Sequence, residues 1–183
     1  MRSYLITGIA VISIAISSCD KDPQLQNPEE LITTLVYRLT PVGGGDHREF
    51  TFRDTDGDGG LPPVITADTL SANTVYDGIV YLFNESVTPS EIISEEISDE
   101  SEDHQFFYSV TGLHAQANYA DTDDDGNPLG LLTTFTTLEA GQGSLQIILR
   151  HLPDKNAPGV KDGVLTNAGG ETDIDITFPL VIE

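Results

Sequence analysis

The sequence is poor in cysteine, tryptophan and basic residues. It has one cysteine, Cys19, and no tryptophan in 183 residues. A single cysteine excludes an intramolecular disulfide framework, so the domain must be stabilised by its hydrophobic core. Aromatic residues make up only 7% of the chain. This disfavours a site that stacks sugar rings, although Phe106, Phe107, Tyr108 and Tyr119 could still line an aromatic patch.

Positive charge is scarce. The chain has 8 Lys and Arg residues against 30 Asp and Glu, which gives a formal charge of −22. Phosphate backbones require the opposite charge, so nucleic acid is excluded as a partner. An anionic membrane surface would also repel the protein. Cations are the ligands that such a field attracts, although a high negative charge also serves solubility alone.

Common catalytic motifs are absent. The sequence contains no G-x-S-x-G, no P-loop and no G-x-G-x-x-G, and no cysteine follows Cys19 to act as a nucleophile. We therefore predict that the protein is not an enzyme.

The N-terminal segment has the pattern of a secretory signal. Arg2 precedes an uncharged run from Tyr4 to Ile16, which is shorter than the roughly 20 apolar residues needed to span a bilayer. The stretch "ISSC" that ends at Cys19 resembles the bacterial lipobox, in which the cysteine is acylated and becomes the mature N-terminus. We expect a signal peptide over residues 1–18, a lipidated tether over 19–30 and one domain over 31–183.

The tether contains a sorting pattern. Lys21 and Asp22 follow Cys19 and resemble the surface-export signal of Bacteroidota lipoproteins. That resemblance implies an outer-membrane lipoprotein displayed on the cell surface. Only one acid follows Lys21 before Pro23, which leaves retention on the periplasmic face as the alternative.

The region after residue 30 has the two-residue periodicity of β-strands. Val, Ile, Thr, Tyr and Phe alternate with polar residues, and clusters of Gly, Pro, Asp and Asn interrupt them. The predicted strands are Leu31–Thr40, Glu49–Arg53, Pro63–Thr66, Val75–Asn84, Phe106–Thr111, Leu113–Ala120, Leu132–Thr137, Ser144–Arg150 and Asp173–Ile182. This pattern predicts an all-β fold, a single β-sandwich of immunoglobulin-like architecture.

One short helix is predicted over Pro89–Ile97. Thr88 is a suitable N-cap, Pro89 suits the first helical position, and Glu91 lies three residues after the cap. Ile93 and Ile97 then share a face at a spacing of four.

Two acidic loops match the first half of a calcium loop, D-x-D-x-D-G. The candidate ligands are Asp54, Asp56 and Asp58 in the first loop, and Asp121, Asp123 and Asp125 in the second. Ile65 and Leu132 stand where an EF-hand requires a bidentate Glu, so neither loop is an EF-hand. Two interpretations remain open: ordinary Asp- and Gly-rich turns, or calcium sites whose cation relieves the repulsion between carboxylates.

A second candidate site lies where an acidic run meets a histidine. The segment Glu91–Asp103 holds seven acids and no base, and His104 follows it. It is either a solvated loop entering a strand or a transition-metal site, since imidazole with carboxylate suits zinc or iron. His114 and His151 are weaker candidate ligands, and His47 is weaker again.

Several stretches together resemble a known group of proteins. They are "FRDTDGDGG", "LSANTVYDGIVYLFNES", "EDHQFFY", "YADTDDDGNPLGLLTT" and "GGETDIDITF". These are similar to small Bacteroidota outer-membrane lipoproteins, often labelled type 1 periplasmic-binding-fold proteins, which have no assigned activity. The label implies a two-lobed α/β fold of about twice this length, whereas this chain has neither that length nor the helices. The residues therefore favour the sandwich.

Two functions fit these observations. The first is a non-enzymatic binding module for a cation or small ligand, accessory to an outer-membrane transporter. The second is a structural or adhesive surface domain whose acidic loops are stabilised by calcium.

Overall fold

Two antiparallel sheets pack face to face as a β-sandwich, which confirms the predicted fold class. The structure is a computed structural model that describes residues 30–55 and 60–183. The predicted signal peptide, the lipidation site Cys19 and the candidate ligands Asp56 and Asp58 lie outside the described residues. The described part contains no helix long and apolar enough to cross a membrane.

Ten strands and one α-helix make up the described fold. In chain order the elements are β1 (Thr34–Pro41), β2 (Arg48–Arg53), β3 (Val64–Ala67), β4 (Val75–Asn84), β5 (Glu91–Ile92), α1 (Ile93–Asp99), β6 (His104–Thr111), β7 (Ala115–Tyr119), β8 (Leu132–Thr137), β9 (Gly141–His151) and β10 (Glu171–Ile182). The larger sheet has the order β3-β2-β1-β4-β8-β7, and β5 pairs with β4. The smaller sheet has the order β10-β9-β6.

The core lies between the sheets, and strand periodicity decides which side chains enter it. Leu145, Ile147 and Leu149 of β9 are each 0% exposed, as expected for alternate residues on one face of a strand. Ile148 points to the opposite face but is also buried, because it packs with Phe107 and Val160 in a second, smaller cluster.

A close approach between strands explains one glycine in a central strand. A Cβ atom on Gly78 of β4 would collide with the Thr133 hydroxyl and the buried Tyr37 ring. The Tyr37 and Thr133 hydroxyl oxygens are 2.6 Å apart. Only glycine leaves room there for this buried hydrogen bond between β1 and β8.

The predicted helix exists but begins later than expected. It runs from Ile93 to Asp99, its N-cap is Ile92, and no side chain caps it. The prediction of a Thr88 cap and of Pro89 at the first helical position is therefore wrong. The reason is that Glu91 and Ile92 are extended and pair with β4, so helical geometry cannot start earlier. The predicted apolar face is confirmed, since Ile93 and Ile97 are both buried.

The predicted strands are all present, and most of them have shifted ends. Val75–Asn84 and Leu132–Thr137 match the observed bounds. The first strand starts at Thr34 rather than at Leu31, whose side chain is 52% exposed. β7 starts at Ala115 because the preceding turn contains Gly112 at a φ of 89°, a conformation that strands do not use.

Candidate metal centre

His104 is the buried residue around which the candidate site is built. It is the first residue of β6 and is 0% exposed. Its Nδ1 lies 3.0 Å from the main-chain carbonyl oxygen of Glu100. A carbonyl oxygen can only accept a hydrogen bond, so Nδ1 carries the hydrogen. The other ring nitrogen, Nε2, then presents its lone pair unless a second proton binds there.

The Nε2 atom faces a buried carboxylate. It lies 3.5 Å from Oε1 of Glu30, whose side chain is 2% exposed, and it makes no hydrogen bond to any described residue. Ligand atoms of Glu30, Glu100 and His104 all lie within 4.8 Å of one another. A lone pair that faces carboxylate oxygens in a buried site is favourable only when a cation, either a proton or a metal ion, lies between them.

The spacing of these atoms suits a metal ion. Zinc ligands lie about 2.1 Å from the ion, so two of them at a tetrahedral angle are about 3.4 Å apart. The distance from His104 Nε2 to Glu30 Oε1 is 3.5 Å. One imidazole and two carboxylates are the donors expected for zinc or iron. Fewer than four protein ligands would leave a coordination position open to water or to a second molecule.

Three parts of the chain position these ligands. Glu100 is the C-cap of α1, and its main-chain N–H bonds to the carbonyl oxygen of Glu96. Ile97 fixes the helix by burying its side chain completely in the core. Glu30 precedes β1, where the N–H of Thr33 donates to the carbonyl oxygen of Phe83 at 3.0 Å.

His151 lies directly beside His104. The two residues are cross-strand partners in β6 and β9, and their rings stack with centroids 4.8 Å apart and planes 8° apart. The structure therefore brings together two of the predicted histidines. His151 shields one face of the His104 ring, but it is not among the three residues whose ligand atoms converge.

The site concentrates negative charge. Loss of hydration raises the pKa of Glu96, and the charges of Glu30, Glu100 and Glu91 raise it further, whereas His104 opposes the shift. A divalent cation bound among these groups would relieve that repulsion.

In the second acidic loop, two of the three carboxylates accept hydrogen bonds from other groups of the protein. Asp121 accepts hydrogen bonds from the N–H groups of Gly130 and Leu132, at 2.7 and 2.8 Å. Asp125 is exposed. Of residues 30–55 and 60–183, only Glu30, Glu100 and His104 form a group with converging metal-ligand atoms, so the structure does not bring Asp121, Asp123 and Asp125 together.

Asp123 is the buried carboxylate of that loop. It accepts from the N–H of Asn127 at 2.7 Å and from Nζ of Lys155 at 2.9 Å. Burial raises the pKa of Asp123, but the hydrogen bond from Lys155 and those from Asn127 outweigh it, so the net shift is downward. A calcium ion at this carboxylate would have to displace the Lys155 ammonium. Calcium binding by this loop stays a prediction.

The first acidic loop is described only at its start and end. Its leading residue, Asp54, donates its main-chain N–H to the carbonyl oxygen of Thr33 at 2.7 Å. The Asp54 Oδ1 atom is buried and makes no hydrogen bond to a described residue. Calcium binding here also stays a prediction.

The two remaining histidines lie away from the candidate centre. His114 is in the turn that follows β6, at the opposite end of that strand from His104, and its Nδ1 lies 2.8 Å from Oε1 of Glu139. Both of these side chains are more than two-thirds exposed. His47 is exposed beside Glu49. Neither histidine joins the converging ligands of the described part.

Sequence reasoning missed Glu30 and Lys155. Glu30 lies in the predicted tether, and no local pattern distinguishes it from Glu29, because its role depends on contact with a histidine far along the chain. Lys155 lies in an irregular segment next to Asp154, which makes it look like a surface residue. Glu100 lies within the predicted acidic run that ends at His104, and this nearness in sequence is the available signal.

Comparisons with protein-family models, with curated proteins and with solved structures found no match to this chain.

Proposed function

We propose that this protein is a non-enzymatic cell-envelope lipoprotein that binds a divalent transition metal ion, with zinc as the leading candidate, at Glu30, Glu100 and His104. The observation that supports this most strongly is the fully buried His104, whose Nε2 faces a buried carboxylate and makes no hydrogen bond to a described residue. The formal charge of −22 would concentrate cations near such a site.

The proposed cellular role rests on the N-terminal sequence. We propose that acylated Cys19 anchors the domain to the outer membrane, with Lys21 and Asp22 directing it to the cell surface. A metal site with open coordination positions on an anchored domain suits capture of the ion and its transfer to an outer-membrane transporter. Substituting Cys19→Ala should move the protein from the membrane fraction to the soluble fraction. If the variant stays in the membrane with unchanged mass, the anchor is not at this cysteine.

Metal binding is tested with zinc and two matched histidine variants. The protein as the cell processes it, purified in detergent, is titrated with zinc by calorimetry. We compare His104→Gln, which removes the buried ligand, with His114→Gln, which removes an exposed histidine. The first should weaken zinc binding roughly 100-fold and the second should leave it unchanged. Cobalt in place of zinc should give an absorption band that the first variant lacks.

A further variant separates loss of a ligand from loss of folding. Glu30→Gln keeps the size of the side chain and removes only its charge, and it should also weaken zinc binding while circular dichroism stays that of the parent. Zinc binding that is equal in His104→Gln, Glu30→Gln and the parent protein would refute the proposal. Absence of zinc binding by the parent protein would also refute zinc as the ligand of this site.

The structural alternative rests on a different observation. The buried Oδ1 of Asp54 lies at the start of the first acidic loop without a hydrogen bond to a described residue, and a calcium ion would satisfy it. Under this alternative the protein is a structural or adhesive surface domain. Calcium at about 100 times its dissociation constant would stabilise it by about 2.7 kcal/mol, or roughly 5–11 °C in melting temperature. Asp54→Asn should remove that shift, and a shift that persists would exclude this loop.

A further inference from the structure

The two lateral sides of the sandwich are closed to different extents. On one side, the segment that contains Leu70 and Ala72 runs beside the end of β10. The N–H groups of these two residues donate to the carbonyl oxygens of Val181 and Glu183, at 2.9 and 2.7 Å. An extended segment therefore bridges the sheets there. On the other side, β6 is the edge of the smaller sheet and β7 is the edge of the larger one.

Several main-chain N–H and C=O groups of β6 and β7 point into this second side and form no hydrogen bond to a described residue. The N–H of Phe106 bonds to the carbonyl oxygen of Leu129, which is away from β9. In an antiparallel strand every second residue directs its N–H and C=O groups the same way. Tyr108 and Val110 therefore also direct these groups away from β9, and no described residue bonds to them.

In β7, alternate residues likewise direct their main-chain N–H and C=O groups away from the neighbouring strand. The carbonyl oxygen of His114 and the N–H of Ala120 both bond to residues of the β8 strand region, Leu138 and Leu132. The alternate residues, Ala115 and Ala117, therefore direct their N–H and C=O groups away from β8. No described residue forms a hydrogen bond with these groups either. Both edge strands thus carry main-chain N–H and C=O groups without a described partner at every second residue. This is the spacing at which a further strand would pair with them.

A cavity of about 510 Å³ lies between these two edges. The half-buried side chains of Tyr108, Val110, Ala115 and Ala117 line it and pack against the core. The small alanines leave space where larger residues would close the sandwich. Lys161 and the residues next to it in the chain form a further wall. The five residues of β7 extend about 16 Å at about 3.3 Å per residue.

The chain itself shows what fits beside this cavity. A segment of the same chain, Leu129–Leu131, crosses the neighbouring part of the same side. The carbonyl oxygen of Leu129 accepts from Phe106 of β6, and that of Leu131 accepts from Val80 of β4 at 2.9 Å. This short segment, which turns at Gly130 with a φ of 94°, thus bonds to both sheets where the cavity ends. At this end of the cavity a main-chain carbonyl oxygen of another segment therefore satisfies an edge N–H group of β6, and the next outward-facing groups of that edge, on Tyr108 and Val110, line the open part.

We propose that this cavity binds an extended peptide from another chain, which adds to the free edge of β6 as a further strand. Main-chain hydrogen bonds to Tyr108 and Val110 would hold it, and its alternate apolar side chains would enter the space above Ala115 and Ala117. Because the protein carries a formal charge of −22, the peptide should be basic outside the cavity. This site is separate from the proposed metal centre.

The test uses a defined peptide, acetyl-Lys-Val-Thr-Val-Thr-Lys-amide, and the protein as the cell processes it, in detergent. Binding is followed by changes in the amide NMR signals of β6 and β7. We expect saturable binding at peptide concentrations below about 1 mM. A peptide with Glu in place of both Lys residues should bind about tenfold more weakly, and so should a peptide N-methylated on the residues that face β6.

Two protein variants locate the site. Ala117→Leu fills the cavity and should abolish binding. Ser109→Leu places the same side chain on the opposite, exposed face of β6 and should leave binding unchanged. If Ala117→Leu alters the circular dichroism spectrum, Ala115→Leu replaces it. No binding of the basic peptide by the parent protein would overturn the proposal. So would equal binding by both variants, or equal binding of the N-methylated peptide.

Discussion

Replacing Lys155 by Met should destabilise the sandwich strongly. Lys155 and Asp123 have side chains that are only 5% and 1% exposed, and their charged atoms lie 2.9 Å apart. Nζ of Lys155 also donates to the carbonyl oxygen of Ser101 at 2.6 Å. Removing the ammonium leaves a buried carboxylate without its counter-charge. A change of this kind costs about 3–5 kcal/mol, which for this size of chain lowers the melting temperature by roughly 6–20 °C.

The pH dependence of that loss follows from the pKa of Asp123. In the parent protein this pKa lies below its ordinary value of 3.8, so near and below pH 3.8 the unfolded state binds more protons than the folded state. The stability that Asp123 contributes is therefore fully present above pH 3.8 and is lost as the pH falls through the lower, folded-state pKa. In Lys155→Met, burial still raises the pKa of Asp123, but Lys155 no longer lowers it. The Asp123 carboxylate of the folded variant is therefore protonated at a higher pH than that of the folded parent protein. The difference in unfolding free energy between parent and variant should shrink on acidification.

Denaturant titrations of both proteins at pH 7 and pH 4 provide the measurement. A double variant, Asp123→Asn with Lys155→Met, removes both charges and should recover most of the stability lost in the single variant. The reasoning would fail if Lys155→Met lost less than about 1 kcal/mol at pH 7, the range of an exposed ion pair. It would also fail if the loss were greater at pH 4 than at pH 7.

Three further predictions concern local structure. Leu152 has a φ of 51° and is 60% exposed, so Leu152→Gly should relieve backbone strain and stabilise the protein by about 0.5–1 kcal/mol in thermal unfolding. Ile97→Ala should cost about 2–5 kcal/mol because the side chain is fully buried, and since Ile97 fixes the helix that carries Glu100, calorimetry should also show weaker zinc binding. Gly78→Ala should prevent stable folding at 37 °C, as judged by circular dichroism, because its Cβ would collide with Tyr37 and Thr133.

The fold was predictable because its strands follow a local rule. Residues two apart in a strand share a face, so Leu145, Ile147 and Leu149 indicate which face of β9 enters the core. The strands that pair with β9 need not be known for this prediction. The start of the helix was not predictable by the same means. Pro89 and Glu91 have the local pattern of a helix start, but pairing of Glu91 and Ile92 with β4 decides the backbone there. A tertiary contact overrode a local preference.

The acidic loops show a second limit of sequence reasoning. The spacing of Asp121, Asp123 and Asp125 predicts three carboxylates around one cation. In the fold, Asp121 bonds to main-chain N–H groups and Asp123 bonds to Lys155. The cation that neutralises Asp123 in the described structure is thus a lysine of the same chain. The spacing within the loop could not indicate this partner, because Lys155 lies 32 residues away from Asp123.

The candidate metal centre divides in the same way into a local and a distant part. Glu100 and His104 are four residues apart, and Nδ1 of His104 donates a hydrogen bond to the main-chain carbonyl oxygen of Glu100. Because the two residues are close in the sequence, the sequence could indicate this pair. Glu30 reaches the site from the chain that precedes β1 and supplies the buried carboxylate that faces Nε2. A metal ion bound here would therefore link the segment that precedes β1 to the connection between α1 and β6.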